Sequence, residues 1–144
     1  MTDNFVVRPA SAGGWDYIAA ALARLFGRLR ETCQHHCVIV QVGDERYVQF
    51  IVRPHGGLWA ESIGEVFLGD AEFSDEQRRE LELLGWNPPD LFGSGHGNYW
   101  HEYETAGHDL DAATIAVLTC IDVFGTRPRE AVNVTVFEAV GSRG

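Results

Sequence analysis

The residue pattern predicts an α+β domain built on a single antiparallel sheet, with helices packed mainly on one face and elements in the order α-β-β-β-α-β-α-β. Two observations carry this. Between Cys37 and Val66, three β-branched and aromatic runs follow one another through short turns, which suits an antiparallel meander rather than parallel strands separated by crossovers. Around them stand three segments whose apolar residues recur three and four apart, each able to lay one stripe against the sheet.

Residues 1–14 contain Arg8-Pro9, Ser11 and Gly13-Gly14, which suits an irregular lead-in, and residues 15–140 are read as one domain. Helix one starts at Trp15 and runs to about Arg30, with Trp15, Ile18, Leu22, Leu25 and Leu29 along one stripe. Its flank carries Ala19, Ala20, Ala21 and Ala23, which favour helix and admit a close neighbour, either the sheet or a second copy of the chain. Cys37 to Val42 (CVIVQV) and Tyr47 to Val52 (YVQFIV) form a hairpin across Gly43-Asp44-Glu45-Arg46. After the turn Pro54 to Gly57, Leu58 to Val66 gives a third strand, with Trp59, Glu61 and Ile63 on one side and Leu58, Ala60 and Ser62 on the other.

The second helix has the most completely written boundaries. Ser74 and Gln77 make a capping box, Asp75 and Glu76 sit at the positive end of the helix dipole, and Leu81 and Leu84 share a face. Gly85 allows a left-handed stop, Trp86 falls where such a stop returns an apolar group onto Leu81, and Pro88-Pro89 forbids continuation. A loop from Asn87 to Gly97 leads to Asn98–Glu104, where Tyr99, His101 and Tyr103 alternate against Trp100, Glu102 and Glu104 in a strand with one wet face. Asp109 is expected to cap a third helix whose buried stripe is Leu110, Ala113, Val117, Ile121 and Phe124, ended by Gly125 and Pro128. Val132, Val134 and Val136 close the chain with a final strand.

Composition excludes several classes. With 144 residues, 45% of them hydrophobic, the chain suits one compact core. It has no apolar run near the roughly 20 residues of a membrane helix and no signal-peptide pattern, so a cytoplasmic protein is expected. A net charge of −10, with only 11 scattered basic residues, speaks against nucleic acid and leaves a basic partner as the complementary one. Cys33, Cys37 and Cys120 are odd in number and read as reduced thiols.

Few constellations point to chemistry. Cys33-Gln34-His35-His36-Cys37 has zinc-ligand side chains, but no second Cys/His pair at finger-like spacing follows it, so no metal ligand is assigned and no cofactor is expected. His96, His101 and His108 with Glu102 and Glu104 could serve an enzyme only by converging on one pocket, and strand alternation sends His101 and Glu102 to opposite faces. There is no G-x-S-x-G elbow, and the glycine-rich Gly93–Gly97 precedes a strand rather than a helix. Aromatic residues are more informative. Trp15 and Trp86 have core roles, whereas Trp100 is bracketed by polar alternation and Trp59 can join it on a sheet face; with Tyr47 these are the candidate contact residues for a partner.

Four blocks carry a family resemblance: YVQFIV at Tyr47–Val52, LWAESIG at Leu58–Gly64, SDEQRRELELLGW at Ser74–Trp86 followed by Pro88-Pro89, and TCIDVFG before VNVTVF. In these the chain resembles the bacterial peptide-binding chaperone-like domains that unite type III secretion chaperones with YbjN proteins, often called TY-Chap domains. Roughly residues 15 to 138 are covered by these helix and strand blocks, and LGW-x-PP is the most specific of them. The resemblance implies a small acidic cytosolic protein that binds extended or helical segments of a partner, commonly as a homodimer, without turning over a substrate. The Cys-His-His-Cys cluster has no counterpart in that pattern, and no peptide-contact residue is carried across. The leading expectation is therefore a non-enzymatic peptide- or protein-binding adaptor. An immunity-type protein that stabilises one globular partner and an enzyme using the His96/His101/His108 region are the alternatives.

Overall fold

The computed structural model describes residues 2–64, 73–89 and 97–139. The chain runs β1 (Thr2–Val7), α1 (Pro9–Ala12), α2 (Trp15–Arg30), β2 (His36–Val42), β3 (Arg46–Val52), β4 (Leu58–Ser62), α3 (Asp75–Leu83), β5 (Tyr99–Tyr103), α4 (Asp109–Leu118) and β6 (Val132–Glu138). Thr119–Val123 continues α4 as a π-helical turn. The six strands form one sheet in the order β1-β6-β2-β3-β4-β5, antiparallel throughout. This is the expected α+β architecture, with two N-terminal elements added in front.

Alternation along the central strands sets the core. Val38, Val40 and Val42 of β2 lie opposite Val136, Val134 and Val132 of β6, and all six are buried. Val48, Phe50 and Val52 of β3 and Leu58, Ala60 and Ser62 of β4 continue the same face. On it α2 buries Ile18, Ala19, Leu22 and Phe26, with the Phe26 and Phe50 rings 4.8 Å apart. Leu25 and Leu29 are only partly buried, so the stripe rotates toward Phe26, which the spacing alone does not single out. The close neighbour of α2 is α4, whose buried positions Ala112, Ala113 and Ala116 are small enough for the two backbones to approach.

The capping box of α3 forms as written. Ser74 accepts from the Gln77 amide at 3.1 Å, and Gln77 Oε1 accepts from the Ser74 amide at 2.8 Å. Gly85 is left-handed at φ +99, and the Trp86 amide donates to the Leu81 carbonyl at 3.1 Å, closing a Schellman motif. Both Leu81 and Trp86 are buried.

Four expectations are corrected. The segment 1–14 is not irregular: Thr2–Val7 pairs with β6 (Phe5 opposite Val134, Val7 opposite Val132), and Pro9 opens a one-turn helix. That strand is short, and its partner lies about 130 residues away, so nothing local declares it. At α4 the N-cap is His108 without a side-chain hydrogen bond, and Asp109 occupies the first helical position. Asp109 instead pairs bidentately with Arg30 at the end of α2, at 2.6 Å for both contacts. The expected α4 stripe also fails at Leu110, which is 57% exposed; after Ala113 and Val117 the π turn shifts the phase so that Cys120 and Val123 face inward. The third strand stops at Ser62, and the part of that expectation falling on Glu65 and Val66 lies outside the described residues.

Gly57 at the head of β4 is dictated by close approach, since a Cβ there would overlap the Tyr103 carbonyl of β5.

Candidate functional site

The helices pack on one face of the sheet, and the alternate side chains of each strand form the other. Register places them in rows across the strands. One row runs Phe137, Cys37, Ile51, Trp59, Glu102, and the next runs Asn4, Thr135, Ile39, Gln49, Glu61, Trp100. Tyr47 follows beside Gln41 and Asn133. Most of these side chains are half-buried, in contrast to the fully buried set on the helix side.

The three candidate contact residues therefore share a face. Trp59 and Trp100 stack with ring centroids 5.4 Å apart and planes 9° from parallel. The diagonal across β4 and β5 that brings them together is within reach of large aromatic groups. Tyr47 sits further along, lining a shallow depression with Ile39, Gln41, Gln49 and Ile63 beside Asp44 and Glu45 of the β2–β3 turn.

Glu61 lies between the two. Its Oε2 accepts from Trp59 Nε1 at 2.7 Å, and its Oε1 accepts from Asn98 Nδ2 at 2.8 Å and from Gln49 Nε2 at 3.4 Å. The neighbouring carboxylate, Glu102, is paired with Arg53 at 2.5 Å. Behind Trp100, Asn87 exchanges both backbone hydrogen bonds with it, at 2.9 and 3.1 Å, which covers the outer edge of β5 at that point. The outer edge of β1 has no strand beside it among the described residues, so the two ends of the sheet differ.

The other sequence-derived groups are not brought together. In β2, His36 points to the helix side and Cys37 to the opposite one, while Cys33 is exposed in the preceding turn. Burial, with Glu61 as a lesser influence, pushes the Cys37 thiol up to about 11. Among the described residues no group of three or more His, Cys, Asp or Glu is placed to hold a metal ion. His101 faces the helix layer and meets Tyr103 edge-on at 4.6 Å, and the His108 ring lies 6.2 Å from that of Tyr103. Burial, and secondarily the charge of Asp111, raises the Tyr103 phenol to about 12. Glu102 lies on the opposite face from His101, as alternation requires, and His96 is outside the described residues.

Sequence reasoning missed a second surface. Phe5 and Val7 of β1, Tyr17, Leu25 and Arg28 of α2, and Val134 of β6 line an apolar groove beside the free edge, with Phe5 49% and Tyr17 54% exposed. Recognising Phe5-Val6-Val7 as a short strand is the signal that could have found it.

Comparison with known proteins agrees with the family that the sequence resembles. A family model described as T3SS (YopN, CesT) and YbjN peptide-binding chaperone 3 matches residues 8–135, from just after β1 to within β6. No curated protein and no solved structure matches the chain significantly.

Proposed function

From the premise that the chain belongs to this family of peptide-binding chaperones, we propose that it is a non-enzymatic adaptor that holds a segment of a protein partner against the open face of its sheet. A chaperone-type binding role follows from the family itself; the face and its contacts are the proposal. The stacked pair Trp59 and Trp100 is the observation that carries it. Two indoles stacked on a half-buried sheet face offer a large, rigid area, which loses little side-chain entropy on binding. Tyr47 extends that area toward the β2–β3 turn, and the net charge of −10 supports a basic partner.

Residues 15–140 act in this proposal as one chaperone-like domain, with β1 extending its sheet. A cytoplasmic setting is supported by the three free thiols and by the lack, among the described residues, of any helix long and apolar enough to cross a membrane. The homodimer belongs to the same proposal, and the outer edge of β1, unpaired among the described residues, is the feature that supports it. The test is recovery of a defined partner from cells that encode this chain. Binding should fall at least roughly tenfold in Trp100→Ala with the circular dichroism unchanged. Undiminished binding by that variant, with Trp59→Ala equally silent, would remove the open face from consideration.

A further inference from the structure

Glu61 is an acidic group of the open face with no cation within ion-pairing distance among the described residues. Glu61 accepts hydrogen bonds from an indole and two side-chain amides, all neutral donors. These orient the carboxylate without cancelling its charge. Among the described residues no cation lies within ion-pairing distance of it, whereas Glu102 beside it has Arg53. Oxygen Oε1 takes both amides and Oε2 takes only Trp59, which leaves acceptor capacity on the oxygen next to the stacked indoles. The remaining charges toward Tyr47 are Asp44 and Glu45, so the field along this path is negative. Arg46 does not offset it, because its register opposite Val42 places it on the helix side.

A half-buried carboxylate at the N–H edge of a stacked tryptophan fits a cationic side chain. The cation gains from the indole quadrupole and from the carboxylate together, and each gains strength where water is partly excluded. A planar guanidinium suits the site better than an ammonium, since it can lie along the indole while donating to Oε2. We propose that Glu61 is the specificity-determining residue of this surface, and that it receives an arginine of the bound segment stacked on the Trp59–Trp100 pair. This rests on the open face being the binding surface.

Host–guest peptides separate the two ideas. An extended apolar peptide with a central arginine, and versions with lysine, norleucine or glutamate at that position, are titrated against the whole chain by tryptophan fluorescence and calorimetry. Wild type is expected to prefer arginine over norleucine by roughly tenfold, with the preference shrinking as salt is raised. Glu61→Gln, which keeps an acceptor for Trp59 or Asn98, should bring the ratio of arginine-peptide to norleucine-peptide affinity close to one, whatever its effect on the norleucine peptide itself. A preference for lysine equal to that for arginine would overturn the stacking geometry. No cation preference in wild type, or one that survives Glu61→Gln, would overturn the inference while leaving the surface in place. Trp59 and Trp100 variants that bind every peptide unchanged, or absence of binding by any peptide, would sink the surface and this inference with it.

Discussion

Trp86 donates its indole N–H to the Thr119 hydroxyl at 3.0 Å, and the Thr119 hydroxyl in turn donates to the Ile115 carbonyl at 2.7 Å. The residue that ends α3 is thus tied to the point where α4 turns π-helical. Gln77 makes a second tie, since its Nε2 donates to the Val123 carbonyl at 2.7 Å while its Oε1 completes the capping box. A Schellman stop and a helix irregularity, 33 residues apart in sequence, thereby hold one another. Replacing Thr119 by Val keeps the shape and strands a buried indole N–H, which should cost about 1–3 kcal/mol in urea unfolding. Thr119→Ser keeps both partners and should cost clearly less; equal losses would show that packing, not the hydrogen bond, matters at this position.

The capping box gives an independent, smaller effect. Ser74→Ala leaves the Gln77 amide without its acceptor, and a loss of about 0.5–2 kcal/mol is expected. Gln77→Ala should lose more than Ser74→Ala, because it also releases Val123. Chemical denaturation of the two single variants in parallel checks the order.

Arg30 joins the end of α2 to the start of α4 and also donates Nε to the Gly56 carbonyl at 2.5 Å. Its side chain is only 11% exposed, and the hydrogen bond to Asp109 is the main cause of its raised pKa. Removing one partner strands the other in a part-buried site, so Arg30→Met should destabilise by about 2–4 kcal/mol. Arg30→Lys cannot reproduce the two-pronged contact and is expected to fall well short of wild type. Thermal melts of the two variants would show it, and a Lys variant as stable as wild type would contradict the geometry.

Burial raises the Cys120 thiol to about 12 and, with a smaller contribution from Glu61, the Cys37 thiol to about 11, both from an ordinary value of 9. Unfolded chains release these protons first, so the folded state binds more protons above pH 9 and its stability falls as pH rises from there. The contribution of Cys37 is present in full below pH 9 and is lost by about pH 11. Unfolding free energies from pH 8 to 11 should fall, and Cys120→Ala should flatten the slope. At pH 8 a thiol reagent should titrate Cys33 rapidly and reach the two buried cysteines only after unfolding.

Sequence alone determined whatever depends on local rules. Ser74, Gln77, Gly85 and Trp86 declare α3 because a cap needs only a few consecutive residues, and the valines of β2, β3 and β6 declare their faces because strand alternation is built into the backbone. The same alternation put Trp59 and Trp100 on opposite sides of their strands from the core residues. Tertiary structure decided everything that depends on which distant segments meet. Thr2–Val7 becomes a strand only through β6, Leu110 is turned outward by the helix packing and Cys120 and Val123 inward by the π turn, and Asp109 leaves a capping role for an arginine 79 residues away. The candidate site followed the same division. Its aromatic residues were visible one by one, but their stacking and the hydrogen bonds that orient Glu61 depend on the register of β4 against β5 and on Asn98, 37 residues from Glu61. Register is a property of the paired strands, and no single stretch of chain encodes it.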